Sequence, residues 1–291
     1  MQPKILIFGF GYTATCLANI LDNLDFHVIG TSRNQEKRDS SRYTLIDFNE
    51  QDVAKHLAGG PHSSVTHILI TTPPSALMGD PLLATFVELI NKQQQSYQWL
   101  GYLSSTGVYG DHQGGWVSES SPSLLPGPQG LLRLAAEDAW LSLAKAQQLP
   151  LHIFRIAGIY GPYRNALTRI KNGKDKSVYK QHHFFSRIHV DDIAATLLAS
   201  MQNPNPLAIY NVADDKPSPA HEVDEYAAHL LHLPAPERVL IENACLSPMA
   251  HEFYRQNRRV NNEIIKKELA VTLKFPSYHE GLNAIYEQGE Y

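Results

Sequence analysis

The stretch Lys4-Ile5-Leu6-Ile7-Phe8-Gly9-Phe10-Gly11-Tyr12-Thr13-Ala14 decides how the rest of the chain is read. An apolar run that stops at Gly-x-Gly-x-x-Ala and passes into Ala14-Thr15-Cys16-Leu17-Ala18-Asn19-Ile20-Leu21 predicts strand, tight glycine turn and helix. Gly9 allows the turn, Gly11 leaves room for a pyrophosphate against the backbone, and Ala14 is small enough for the helix to pack on a sheet. The helix start offers free N–H groups and a positive dipole end to phosphates, so Gly9, Phe10, Gly11, Tyr12, Thr13 and Ala14 form the expected dinucleotide cradle. A glycine turn in some other α/β protein is the competing reading.

A second strand, Phe26-His27-Val28-Ile29-Gly30, leads to Thr31-Ser32-Arg33. A carboxylate at this strand end would accept hydrogen bonds from a ribose hydroxyl and favour NAD. The chain has none there, and Arg33 beside Ser32 can pair with a 2′-phosphate through charge-assisted bonds, which favours NADP over NAD. Further on, Tyr43-Thr44-Leu45-Ile46-Asp47-Phe48 is a short strand ending in an acid. Asp47 and Phe48 stand where an adenine would be read, although a strand-end Asp serves as readily to cap the next helix. Val65 to Ile70 is a fourth strand, and its exit Thr71-Thr72-Pro73 should lie along the cofactor.

From about Pro81 to Gln95 the spacing of Leu82, Leu83, Phe86, Val87 and Ile90 predicts an amphipathic helix. Trp99 to Leu103 then runs into Ser104-Ser105-Thr106-Gly107-Val108-Tyr109-Gly110, a strand ending in three consecutive hydroxyl side chains. Glu119 to Gly130 reads as a loop, Leu131 to Leu141 as a helix, and Leu151 to Ile156 as a sixth strand ending in Ala157-Gly158-Ile159-Tyr160-Gly161-Pro162. Tyr163 to His183 looks like a polar excursion, and Phe184 to Ala194 returns to start a helix with Asp191 or Asp192 as its cap. Leu207 to Val212 is a late strand. Strands alternating with helices at this spacing predict an α/β fold with a doubly wound parallel sheet and a smaller C-terminal capping part. The expected division is 1–165 for the dinucleotide-binding part and 166–291 for the cap, with 186–214 returning to the core.

Composition narrows the function. A formal charge of −4 with scattered basic residues gives no nucleic-acid footprint. Cys16 and Cys245 are far apart and suggest neither a disulfide framework nor a thiolate metal site. The fourteen histidines are dispersed, and the pairs His182-His183 and His229/His232 lack a third ligand, so no metal is expected. The first apolar run follows Lys4 and ends in the glycine turn, unlike a signal peptide, and no stretch approaches the roughly 20 apolar residues of a membrane span. A reducing cytoplasm is the expected setting.

The motifs, in order, resemble the extended short-chain dehydrogenase/reductases, the NAD-dependent epimerase/dehydratase family. The matching stretches are the glycine turn, Ser104 to Gly110, Arg155 through Gly161-Pro162, Ile188-His189-Val190-Asp191-Asp192, Ile209-Tyr210-Asn211-Val212, Arg258 to Asn262 and Phe275 to Leu282. The resemblance implies an NAD(P)-binding Rossmann fold, a nicotinamide cofactor also touching Ser104, Ala157 and Gly158, and a small-molecule substrate. It also implies a Tyr and, four residues later, a Lys: proton donor and ribose holder. This chain departs there, with Gln129 and Arg133 at the matching positions, and none of its fourteen tyrosines has a Lys four residues on. Gln129 cannot exchange a proton near neutral pH, whereas Arg133 keeps a cation for the ribose or a phosphate. Ser105 keeps the family's hydroxyl. Thr106 and Gly107 replace the acid and base of the sugar-nucleotide dehydratases. With its shortened glycine turn, the chain is similar to the atypical branch that includes the YeeZ-like proteins.

Two functions follow. The first is an NADP(H)-dependent oxidoreductase or epimerase, an isomerase in the latter case, acting on a small polar, sugar-like or nucleotide-linked substrate. Ser105 would bond the substrate oxygen, and Tyr109, Tyr160 and Tyr163 are the tyrosines placed by sequence to supply a proton. Thr106, Tyr109, Arg164, Arg187 and His189 would contact substrate. The second is a non-catalytic NADP(H)-binding sensor or interaction protein, favoured by the missing acid/base. The apolar faces around Leu82–Ile90 and Leu132–Leu143 would suit a homodimer contact, or equally the layer packed on the sheet.

Overall fold

The computed structural model describes residues 2–57, 65–85, 87–91 and 97–291. Its chain forms two compact units, each assembled from three separate stretches. The first unit takes residues 1–105, 131–155 and 194–210; the second takes 106–130, 156–193 and 211–291. The expected division had one boundary at 165/166 and a single return, whereas the units here alternate along the chain.

A seven-stranded sheet organises the first unit. Its strands are Lys4–Phe8, His27–Thr31, Thr44–Ile46, His67–Ile70, Trp99–Ser105, Leu151–Ile156 and Ile209–Val212. Their spatial order, beginning from the Ile209 strand, is Ile209, Leu151, Trp99, His67, Lys4, His27 and Thr44. Lys4–Phe8 sits between His27–Thr31 and His67–Ile70, parallel to both. The order reverses direction beside it, and in such sheets the strand ends at that point make the ligand crevice. Both faces are covered by helices, so its strands read as apolar runs: Ile5, Leu6, Ile7 and Phe8 are all fully buried. Trp140 and Ala144 from the helix Pro128–Gln147 pack with Tyr102, Leu100 and Ile153 in one core.

The helix Tyr12–Asp22 follows the first strand as expected, and Thr13, Ala14, Leu17, Ala18 and Leu21 form its buried side. The predicted Pro81–Gln95 helix appears as Pro81–Thr85 and Val87–Asn91; Phe86 and residues 92–96 lie outside the described residues. The predicted loop through Gly130 ends early, because the helix starts at Pro128, whose fixed φ and missing N–H suit a first helical turn.

The second unit has its own core of Tyr160, Leu167, Ile170, Ala227, Tyr278, Leu282 and Ile285. The Tyr163–His183 segment is not an excursion. It carries the helix Ala166–Lys171 and the strand Lys176–Tyr179, with Leu167 and Ile170 in that core. Its polar look comes from basic residues held by one buried acid: Asp224 is fully buried and pairs with Arg169 (3.1 Å) and Lys174, and takes a hydrogen bond from Ser177. Those partners hold its carboxyl below the usual range although burial works the other way. Asp192 lies inside the first turn of the helix Val190–Gln202 and not at its cap position. It accepts from the backbone N–H of Lys274 (2.7 Å) and Phe275 (3.0 Å), pinning the C-terminal segment.

Candidate functional site

In the first unit the strand Lys4–Phe8 ends at Gly9, which has φ of 91°. A Cβ there would come within 2.7 Å of Thr71 Oγ1 and 3.0 Å of Thr72 Cγ2, so both conformation and space require glycine. Nothing lies within 4 Å of where a Gly11 Cβ would be, which leaves the approach to the backbone open. Gly11 caps the helix Tyr12–Asp22 with no side-chain hydrogen bond, so no side-chain cap competes for its first amides. Thr71 spends its hydroxyl on the carbonyls of Phe8 and Gly9 and so braces the turn, while Thr72 keeps a buried hydroxyl oxygen with no partner among the described residues. The Phe10 ring is turned into the fold, filling the space a side chain at Gly30 would need and lying tilted against Tyr43 at 5.5 Å. Thr13 and Ala14 are buried in the helix–sheet contact.

Arg33 is exposed at the exit of the second strand, as expected. Two further cations follow it, Lys37 and Arg38, neither among the residues expected from sequence to hold cofactor. Lys37 donates to the Phe10 carbonyl and lies 5.8 Å from that ring's centre, directly on the glycine turn. Arg38 donates to the Ser32 carbonyl (2.6 Å) and to Asp47 (3.3 Å). Asp47 also accepts from the Phe48 backbone (2.8 Å), so it organises the loop beside the basic cluster. The signal was present in the sequence: Asn34 caps the short helix Gln35–Ser40, and the cap fixes where Lys37 and Arg38 project.

At the end of the Trp99–Ser105 strand the hydroxyls do not act alike. Ser104 is buried and donates to Glu137 on the helix Pro128–Gln147. The same carboxylate takes a fork of bonds from Arg155, the shortest 2.7 Å, in a buried ion pair. The Ser104 hydroxyl is therefore engaged in this internal network. Strand alternation puts Ser105 on the opposite face from Ser104. Arg133 does not extend freely either: it donates to the Leu103 carbonyl (2.6 Å) and reaches the Tyr102 hydroxyl at 3.4 Å. Burial pushes the Tyr102 phenol up to about 12, opposed by the Arg133 charge.

In the second unit Gln129 is exposed at the start of its helix. Its neighbour Gly130 lies so close to the turn Thr106–Tyr109 that a Cβ would sit 2.4 Å from the Gly107 carbonyl oxygen. Thr106 is buried. Tyr109 is 1% exposed and donates to Asn211 (2.7 Å), which removes it as a proton donor or substrate contact; the aromatic body was needed in the core. Tyr160 is buried with its hydroxyl on the Ser277 carbonyl (3.2 Å), and burial pushes its phenol upward. His189 is buried against Phe275 at 4.1 Å, and burial lowers it to about 4, so it is a neutral core ring rather than a substrate contact. Arg187 donates to the carbonyls of Phe185 (2.9 Å) and Ser218 (2.8 Å), with burial lowering its pKa. Ala157 donates its N–H to the Val212 carbonyl and Gly158 its N–H to the Ser186 carbonyl. Arg164 closes a tight turn with Gly161.

Residues 5–213 match the NAD dependent epimerase/dehydratase family, more than half of the chain. The chain belongs to that family. The chain is also similar along its whole length to a functionally unknown conserved protein from Silicibacter pomeroyi DSS, which is 41% identical, covers all of both chains and superposes with a TM-score of 0.90. The dTDP-glucose 4,6-dehydratase of Bacillus anthracis, in complex with NAD, is 19% identical with a TM-score of 0.79, covering 98% of this chain and 96% of its own. The UDP-glucose 4-epimerase of Thermotoga maritima, with UDP-glucose, is 14% identical with a TM-score of 0.78, covering 98% and 97%. The last two likenesses speak for the Rossmann-like fold alone. No curated protein matches the chain. Among the described residues no helix is long and apolar enough to cross a membrane.

Proposed function

We propose that this family member is an NADP(H)-dependent oxidoreductase or epimerase acting on a small polar, sugar-like or nucleotide-linked substrate. The observation that carries the reading is the open, uncapped glycine turn with Arg33, Lys37 and Arg38 gathered at the neighbouring strand end. The residues fit a dinucleotide: Gly9, Gly11 and the amides of the Tyr12–Asp22 helix hold the pyrophosphate, and Arg33 with Lys37 holds a 2′-phosphate. When bound, such a cofactor supplies hydride transfer at its nicotinamide. Ser105 then bonds the substrate oxygen, and Thr72, with its unspent hydroxyl oxygen, lines the cofactor's path. Arg133 keeps the strand end in shape through the Leu103 carbonyl, which leaves ribose binding as its secondary role.

The test is a titration with NADPH, NADP, NADH and NAD, repeated with Arg33→Ala. Tight NADP(H) binding that weakens selectively in the variant supports the reading; no binding by any of the four ends it.

A second reading, a non-catalytic NADP(H) sensor, is favoured by one specific observation. Gln129 stands where the family has its tyrosine, and both Tyr109 and Tyr160 have their hydroxyls spent inside the fold. A sensor binds cofactor tightly with no substrate-dependent change in NADPH absorbance. The YeeZ-like branch, with the same Tyr and Lys lost, is the part of the family this reading points to.

A further inference from the structure

We propose that the cavity beside Asp214 binds a small primary ammonium, whose N–H groups donate to the Asp214 carboxylate while its carbon chain lies against Trp116. The site does not draw on the dinucleotide reading: every residue lining it belongs to the second unit, and none is among those assigned above to cofactor or substrate. The cavity holds about 400 Å³, the size of a small-molecule site. Its walls are tied together. The short strands Trp116–Val117 and Arg259–Val260 pair in parallel, and the Asn262 side chain donates to the Ala213 carbonyl (2.8 Å) and to Asp215 (2.7 Å). The Arg259 guanidinium lies 5.2 Å from the centre of the Trp116 ring and donates to the Gly114 carbonyl (2.7 Å). That contact holds the indole in place yet leaves Trp116 53% exposed, an aromatic surface that attracts cations and covers alkyl chains.

Three carboxyl side chains, Asp214, Asp215 and Glu263, line this space with one ammonium, Lys266, a balance that repels anions. Two of the three already have cations, Lys266 on Asp215 and Lys267 on Glu263 (2.9 Å). Asp214 differs. It is 1% exposed, its Oδ1 accepts from the Lys216 amide (3.2 Å), and its Oδ2 is buried with no partner among the described residues. A buried carboxyl oxygen without a donor is costly to keep, and a donor entering from the cavity supplies what the fold does not. Burial outweighs the charge of nearby Arg187 and, with Asp215 and Asp192 adding to it, pushes the carboxyl up to about 8. An incoming ammonium therefore ionises it near neutral pH: the carboxyl proton leaves to solvent as the ion pair forms, and the ammonium keeps its own protons. Among the described residues no three histidines, cysteines or carboxylates are placed to hold a metal ion, which favours an organic cation.

The test titrates the full-length protein calorimetrically with butylammonium, 1-butanol and butyrate from pH 6 to pH 9, in wild type, Asp214→Asn and Trp116→Leu, with thermal midpoints alongside. At pH 8 butylammonium should bind about tenfold or more tightly than either isostere. Its affinity should rise by about tenfold from pH 6 to pH 7 and level off above pH 8, where no proton is left to displace. Asp214→Asn keeps an acceptor for the Lys216 amide but should lose about tenfold or more in affinity together with the pH rise. Trp116→Leu should lose about threefold and keep the pH rise. Equal binding of 1-butanol, no saturable binding of butylammonium below about 50 mM, a flat pH profile in wild type, or an affinity unchanged in Asp214→Asn each overturns the proposal. Should Asp214→Asn not fold, the pH profiles of wild type and Trp116→Leu decide it.

Discussion

Arg33 and Lys37 differ in what the fold already asks of them. Lys37 is engaged with the Phe10 carbonyl, while Arg33 is exposed. Arg33→Ala should therefore weaken NADPH by about 10- to 100-fold, the ~1.5–3 kcal/mol of a charge-assisted contact, and leave NADH within about twofold. Lys37→Ala should weaken both, since it also loosens the glycine turn; fluorescence titration separates the two. Glu137→Gln removes the charge partner of buried Arg155 and should cost about 3–5 kcal/mol in urea unfolding, whereas replacing both Glu137 and Arg155 by apolar residues should cost less. The position of Arg33, exposed at the exit of the second strand, was legible because a strand end after a glycine turn is a recognisable place in the pattern. Ser104 was not: its direction depends on which strand face meets the helix carrying Glu137, and that is settled by packing.

Turns and strand ends carry the next scale. Gly110 has φ of 73°, and a Cβ there would lie 1.8 Å from the Leu124 carbonyl oxygen, so Gly110→Ala forces backbone apart and should lower the thermal midpoint more than any other single alanine at a glycine in that loop. A matched Gly11→Ala should hardly move it, because open space surrounds that position, yet it should block the pyrophosphate; calorimetry with and without NADPH distinguishes the two effects. Elements with a strong local pattern were readable: the first strand and helix fall where expected. The Tyr163–His183 segment was misread because Arg169 and Lys174 look solvated until Asp224, far along the chain, is seen to hold them.

Across the molecule, protonation links stability to pH. Burial lowers His67, His152, His183 and His189 to about 4 from an ordinary 6.5. The unfolded chain binds these protons first, so stability falls as pH drops from about 6.5 toward 4. Asp214 acts oppositely. Burial raises it to about 8, so the folded state holds its proton longer and stability from this group falls as pH rises from about 4 to 8. Four histidines outweigh one acid below 6.5, and above it only Asp214 of these groups still acts. Thermal midpoints should peak near pH 6.5 and fall more steeply on the acid side; His67→Phe should flatten that limb, and a midpoint unchanged from pH 6.5 to 4.5 would contradict the account. The fold class was legible in the alternation of strands and helices. Six alternating stretches were not, since compactness is a property of distance rather than of pattern.

That alternation bears on how such a protein can be inherited and rebuilt. Neither unit corresponds to a contiguous stretch of coding sequence, so no single breakpoint separates one unit whole from the other. A change of specificity in such a chain is reached by substitution within its stretches, since neither unit can be exchanged whole as one contiguous segment.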